Sequence, residues 1–379
     1  MLNEAMTWLE EKPVTASAYS QARSKVKHTA FIELNKEAVV ETLYSDDDYQ
    51  KYWGFRVLAI DGSKIMLPTN KITIGEFGSI KWTNGNTLEK QGEHAYALAS
   101  VLYDVLNRVA IDATLAEAKA YEVNLAIGHL LHTQKDDLLI MDRNYPSYRM
   151  LAELNEAERN FVIRCSSASF KSARAMFKGE GNDSQIVTLK PCADQIKAIQ
   201  DNALALSLTV RFVRVRLSTG EYEVLVTSLL DEQRYPTEGF LELYHLRWGI
   251  ESFYGLLKTR LNLENFTGTS PESIRQDFHA TVYLTGLESV LTDSAQDFLN
   301  HKQTYYPQRV NRAVSFNAIK AYALALLFSD IPLDPLFDQL TALFLSNPCL
   351  VRLQRNPPRK KSSARTLLNY QKCQKKQCV

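Results

Sequence analysis

Cysteine is scarce in this chain. The five residues, Cys165, Cys192, Cys349, Cys373 and Cys378, are odd in number and show no paired zinc spacing. That excludes a disulfide-stapled scaffold and fits a reducing cytoplasm. Long apolar runs are missing too: the longest, AYALALLF at 321–328, is far shorter than the ~20 residues a bilayer-spanning helix needs. No signal-peptide pattern opens the chain, and no membrane partner is expected. Acidic residues are absent from 351–379, where nine basic ones stand: Arg352, Arg355, Arg359, Lys360, Lys361, Arg365, Lys372, Lys375 and Lys376. Without those nine, 35 of the 44 basic residues remain against 43 acidic ones. A basic tail on a mildly acidic body suggests a polyanion such as nucleic acid. The competing reading is a disordered, solubilising tail. Tryptophan occurs only at 8, 53, 82 and 248, so residues 167–235 have none.

What is present is ordinary for a globular protein. The 379 residues, 45% hydrophobic and 23% charged, suffice for one large domain or two smaller ones. The first 45 residues read as polar helices, with Ser17 as a helix cap. FRVLAIDGSKIMLP (55–68) reads as a buried strand whose apolar run ends at Asp61-Gly62. HAYALASVLYDVLN (94–107) and RVAIDATLA (108–116) read as strands joined by a tight turn at Asn107, with Asp104 and Asp112 as turn or edge acids. A helix over 116–134 follows, then the strand DDLLIMDRNYP (136–146) with Asp142 at its C-terminal end, a helix, and the strand FVIRCS (161–166). Three strands, helix, strand, helix, strand imply a mixed sheet. Residues 167–235 alternate in hydrophobicity and form a β-rich insertion, and 273–330 are mostly helical.

After the insertion comes YHLRWGIESFYGLLK (244–258). On one α-helix, Tyr244, Arg247, Glu251 and Lys258 fall within an arc of about 60°, opposite Leu246, Ile250, Phe253 and Leu257. Gly255 leaves a gap in that arc where something bulky can approach. A solvated charged face is the plain alternative. Asp61 as an Asp-Gly turn residue and Asp142-Arg143 as a local ion pair are plain alternatives as well. Yet ligands gather at strand ends in open α/β sheets. If Glu251 faces Asp61 and Asp142, three carboxylates converge and repel unless divalent cations neutralise them. Oxygen-only ligands favour Mg²⁺ or Mn²⁺. Two such ions ~4 Å apart form a clamp for in-line phosphoryl transfer.

The order Asp61, Asp142, β-rich insertion, then Tyr244-x2-Arg247-x3-Glu251-x6-Lys258 resembles the insertion-sequence-4 group of DDE transposases. LLIMDRNY and SAYSQAR are similar to further segments of that group, and the resemblance covers roughly residues 15–330. It implies a ribonuclease H-like mixed sheet flanked by helices, with the β-rich insertion placed before the last catalytic helix. It also implies two Mg²⁺ ions, with Mn²⁺ as substitute, held by Asp61, Asp142 and Glu251. Arg247 and Lys258 would contact phosphates near the scissile bond, and Tyr244 would donate to a backbone phosphate. The partners implied are double-stranded DNA, as terminal inverted repeats and target, and a second copy of the chain. The setting implied is the bacterial cytoplasm, at the nucleoid. Some relatives stack an insertion tryptophan on a flipped base during hairpin formation; Phe170, Phe177 and Phe212 are the aromatic stand-ins here.

The expected division is a helical region (1–50), a catalytic domain (51–166 and 236–335), the insertion (167–235) and a C-terminal region with the basic tail (336–379). The activity expected is metal-dependent cleavage at element ends with strand transfer. An idle DNA-binding relic and a nuclease of the same fold are the alternatives. Removing residues 352–379 should weaken DNA affinity and flatten its salt dependence. An unchanged salt slope in binding titrations would show the tail to be passive.

Overall fold

Strand β1 (Arg56–Met66) organises the chain. Its opening residues Val57, Leu58, Ala59 and Ile60 are fully buried, as a strand covered on both faces requires. The computed structural model describes residues 6–7, 12–83, 90–217, 219–328 and 332–352. The basic tail from 353 onward, with Cys373 and Cys378, lies outside the described residues, as does most of MTWLEEK. Also in the chain are β2 (Ser79–Thr83), β3 (Lys90–Asp104), β4 (Val109–Glu117), β5 (Asp137–Met141) and β6 (Asn160–Arg164). β1 pairs antiparallel with β3, which pairs antiparallel with both β4 and β2. On its other side β1 runs parallel to β5, and β5 parallel to β6. The order β4-β3-β1-β5-β6 is the mixed, ribonuclease H-like arrangement expected.

The β-rich insertion extends this sheet. β7 (Ser184–Leu189), β8 (Leu208–Arg216) and β9 (Tyr222–Thr227) add on in the order β6-β9-β8-β7 through antiparallel pairs. β9 joins because Val224, Leu225 and Val226 are apolar on both faces and fully buried. An isolated hairpin would leave one face wet.

The helices are α1 (Ala16–Arg23), α2 (Thr29–Asn35), α3 (Lys71–Phe77), α4 (Glu122–His129), α5 (Tyr148–Glu156), α6 (Lys171–Phe177) and α7 (Ile196–Asp201). After the insertion come α8 (Gly239–His245), α9 (Trp248–Gly255), α10 (Pro271–His301), α11 (Arg312–Phe328) and α12 (Asp334–Ser346). Several details depart from expectation. α1 is capped by Thr15, whose Oγ1 accepts from the Ala18 amide at 3.1 Å, and not by Ser17. Thr15 has the extended backbone a cap needs, whereas Ser17 is already helical. α3 and β2, between β1 and β3, were not read from the sequence. Asn70 starts α3 with a capping box closed by Thr73. The helix expected from 116 begins only at Glu122, because β4 keeps Ala116 and Glu117 paired with Leu98 and Ala97.

The chain divides into two compact units, Ile32–Tyr283 and Met1–Phe31 with Leu284–Val379. In the larger, alternation along β1 builds two cores. Val57, Ala59 and Ile65 pack on one face with Phe240, Ile250, Phe253 and Leu257. Leu58 and Ile60 pack on the other with Val123, Ala126, Leu151 and Phe212. The smaller unit has its own cluster around Ala295, Leu299, Leu340 and Phe344. Its buried Glu288 accepts from Arg312 at 2.6 Å and from Ser315 at 2.6 Å. Among the described residues no helix is long and apolar enough to cross a membrane.

The first rung of the β1–β5 pair is held by charge. Arg56 Nε and Nη2 donate to the two Asp137 oxygens at 2.6 and 2.8 Å, with both side chains buried. Removing one partner strands the other. Arg56→Ala should cost about 3–5 kcal/mol, read as a lowered denaturant midpoint. A loss no larger than that of a typical exposed pair would show that Asp137 finds another partner.

Candidate active site

The parallel pairing of β1 with β5 ends at Ile60↔Met141. The next residue on each strand is an acid, Asp61 and Asp142. β1 does not stop there: Asp61 stays in the strand opposite Val101 of β3, and pairing continues to Met66. The Asp-Gly turn reading is therefore overturned, because β3 supplies the hydrogen bonds that carry the strand onward. Asp61 Oδ1 accepts from the Gly62 amide at 2.8 Å, and Asp142 Oδ1 from the Asn144 amide at 2.8 Å. Burial, and then the charge of Asp142, push the Asp61 carboxyl from 3.8 up to about 7. The Gly62 amide and Arg247 oppose that rise without cancelling it.

The signature segment folds differently from the single helix expected. α8 ends at His245, a turn takes Leu246 and Arg247, α9 starts at Trp248, and a π-helical turn covers Leu256–Arg260. The break and the wider turn change the angular phase, so the four polar residues share no solvated arc. Tyr244 and Arg247 are buried, at 3% and 5% exposure, while Trp248 stands 43% exposed. Arg247 Nη2 donates to Glu251 Oε1 at 2.7 Å. The Tyr244 hydroxyl and Arg247 Nε are buried without a partner. Lys258 Nζ donates to Ser63 Oγ at 2.8 Å and to the Lys64 carbonyl at 2.7 Å, and burial holds its pKa below the ordinary lysine value.

Tyr254, one turn beyond Glu251, ties this segment to the strand. Its single hydroxyl hydrogen is shared between the Asp61 carbonyl, 2.9 Å away, and the Ala99 carbonyl, 3.1 Å away. Tyr254 and Lys258 thus grip β1 at Asp61 and just past it, which brings the Glu251 helix to the strand that carries Asp61. A Cβ at Gly255 would meet nothing within 4 Å, so the surface there is open.

Among the described residues no three His, Cys, Asp or Glu side chains stand together closely enough to hold one ion. Asp61 and Asp142 are coupled, and Glu251 is engaged by Arg247. The donor chemistry nonetheless fits a hard divalent cation. Two carboxylates share a partly dry site where one resists ionisation, and an oxygen-binding cation relieves that conflict.

Other candidates resolve differently. Phe212 is fully buried and packs edge-to-face on Phe170, and Phe170 and Phe177 both lie against the same core. They are packing residues, because their rings fill the space between β8 and its covering helices. Asp104 is a turn acid, buried and accepting from the Leu106 and Asn107 amides at 2.9 and 2.8 Å. Asp112 is an edge acid: it lies within β4, which pairs only with β3, and it accepts from His129 Nδ1 at 2.6 Å. Burial is the largest single effect and would raise the Asp112 carboxyl; the His129 hydrogen bond, the charges of His129 and His132 and the Ala113 amide together outweigh it and hold the pKa below the ordinary value. Sequence reasoning missed Glu122, Tyr145 and Tyr254, which all act on Asp61. Only Tyr254 had a signal, three residues after Glu251.

A profile of the transposase DDE domain matches residues 52–284. The chain belongs to the transposase DDE domain family. Work by this family generally depends on divalent metal. No curated protein sequence matches this chain. Among solved structures it is similar to a piggyBac transposase in a synaptic complex with hairpin DNA, determined by cryo-EM, at 9% identity and a TM-score of 0.39. The alignment covers 82% of this chain and 61% of that one, so the chain spans less than two thirds of that protein's length.

The raised Asp61 pKa has a consequence for stability. Between 3.8 and about 7 the folded chain holds a proton that the unfolded chain has lost. Stability is therefore greatest below that window and falls as pH rises through it. In chelator, the thermal midpoint should drop as pH is raised from about 4.5 to about 7.5. Asp61→Asn, which cannot ionise, should flatten the drop. Parallel profiles for the two proteins would show that Asp61 does not titrate in this range.

Proposed function

We propose that the chain is a transposase of the insertion-sequence-4 group and moves a DNA element by cut and paste. Water attacks a phosphodiester at the element end and frees a 3′-hydroxyl. That hydroxyl then attacks a target phosphodiester and displaces its 3′ oxygen. The observation that carries this reading is the pair Asp61 and Asp142, set where β1 and β5 stop pairing, with the Glu251 helix fastened to the Asp61 carbonyl by Tyr254.

In this reading Asp61, Asp142 and Glu251 hold two Mg²⁺ ions, for which Mn²⁺ substitutes. When bound, the ions activate the attacking oxygen and stabilise the leaving one. Arg247 fixes the position of Glu251 through its 2.7 Å bond. Its unpaired Nε and the unpaired Tyr244 hydroxyl are donors that phosphate oxygens would satisfy. Lys258, bonded to β1 at Ser63 and Lys64, offers phosphate a compact charge. Open space at Gly255 suits the approach of a DNA backbone. The partners are the element's terminal inverted repeats and target DNA, engaged by a dimer in the bacterial cytoplasm.

The test uses linear DNA carrying the element's own flanking ends, with Mg²⁺. Alanine at Asp61, Asp142 or Glu251 should reduce nicking by at least about a hundredfold, the loss of several kcal/mol of charge stabilisation, while DNA binding survives. Nicking at wild-type rates by these variants would contradict the assignment. A wild type that binds the ends but never nicks them would favour an idle DNA-binding relic.

A further inference from the structure

We propose that Glu122 is a fourth carboxylate of the metal centre, an inference that rests on the reading of Asp61 and Asp142 as ligands. Glu122 opens α4, which packs through Val123 and Ala126 on the sheet face opposite α9. Its side chain lies against Gly62, the residue after Asp61. A Cβ built on Gly62 would stand 3.1 Å from the Glu122 carboxyl carbon. The Asp61-Gly62 dipeptide is thus no turn; its glycine leaves room for a carboxylate beside the strand. Asp142 exerts the largest charge effect on Glu122, and Glu122 acts in turn on Asp61. Asp142 directly follows the last residue of β5, next to the β1 position that carries Asp61.

A second observation, independent of the acids, points to a ligand. Tyr145 is fully buried, and its hydroxyl has no hydrogen-bond partner. The charges acting on that hydroxyl are Asp61, Glu122 and Asp142, with Tyr254 alongside. A buried phenol left without an acceptor costs about 1–3 kcal/mol, and it sits where ordered ligand oxygens would accept from it. α4 itself is held in place from its far end. His129 Nδ1 donates to Asp112 at 2.6 Å, while Nε2 faces the Ser100 hydroxyl at 3.0 Å, and Ser100 is paired with Gly62. Glu122 is therefore carried by a helix whose two ends both report to the strand beside Asp61. The cation acting on it is Lys64, an exposed side chain that leaves the carboxylate free to take a metal.

The experiment is a Mn²⁺ titration of the full chain without DNA, followed by electron paramagnetic resonance. Wild type is compared with Glu122→Gln, Glu122→Asp and Asp142→Asn, each checked by thermal melting in chelator. Glu122→Gln should weaken Mn²⁺ binding about tenfold or more, with partial recovery in Glu122→Asp. Wild-type affinity in Glu122→Gln, with binding lost in Asp142→Asn, would overturn the role of Glu122 and leave the three-acid reading standing. If Asp142→Asn also binds like wild type, both fall together. Should Glu122→Gln melt far below wild type, Glu122→Asp decides alone: affinity equal to wild type overturns the proposal, and a loss supports it.

Discussion

The site depends on how far two strands stay in register. β1 and β5 are parallel neighbours for five residues, from Arg56↔Asp137 to Ile60↔Met141. Beyond that point β5 ends and β1 continues beside β3. A parallel pair that stops abruptly delivers equivalent positions of both strands to the same edge. When both positions are acidic, two negative charges are forced together by backbone geometry and not by side-chain choice. The Arg56–Asp137 pair at the opposite end fixes the register that makes this happen. One residue of slip would turn Asp142 to the other face.

Which effect governs the charges can be ranked. Burial is the first cause of the raised Asp61 pKa, and Asp142 is the second. Arg247 and the Gly62 amide act in the other direction and lose. The cations nearby are otherwise engaged: Arg247 with Glu251, and Lys258 with Ser63 and Lys64. Negative charge at the strand ends is therefore left under-compensated by the protein itself. Such a site lowers stability at neutral pH and raises affinity for any hard cation that reaches it.

Much of this was legible in the sequence, for reasons that differ by residue. Asp142 was plain, because LLIM is a buried strand and the acid follows it directly. Asp61 was found for an incomplete reason. An apolar run meeting Asp-Gly looks like a strand end, and nothing local says that β3 will carry β1 five residues further. Glu251 and its companions were visible as spaced types, yet the arc they form is not a solvated one: Tyr244 and Arg247 are buried, with Arg247 against both the Tyr244 ring and Glu251. Spacing encodes helical periodicity but not the turn at Leu246-Arg247 or the π-helical turn after Gly255, which tertiary contacts at Tyr254 and Lys258 select. Phe170, Phe177 and Phe212 looked available for stacking only because burial cannot be read from residue type. Glu122 was invisible for the plainest reason: in AEAKAYEV it resembles any acid at the start of a surface helix.

Gly62 and Tyr254 show how the two faces of the sheet are coordinated at one point. On the α9 face, Tyr254 bonds the Asp61 and Ala99 carbonyls and so bridges β1 and β3 directly behind the acid. On the α4 face, the absent side chain of Gly62 admits Glu122, while Ser100, its partner on β3, receives His129. Both helices are therefore referenced to the same rungs of the same strand pair. A shift of β1 against β3 would disturb the Tyr254 bond and the Ser100–His129–Asp112 chain together. Buried hydrogen bonds of this kind are costly to break singly and costlier jointly. That coupling holds the helices that carry Glu122 and Glu251 to the same rungs of the strand that carries Asp61.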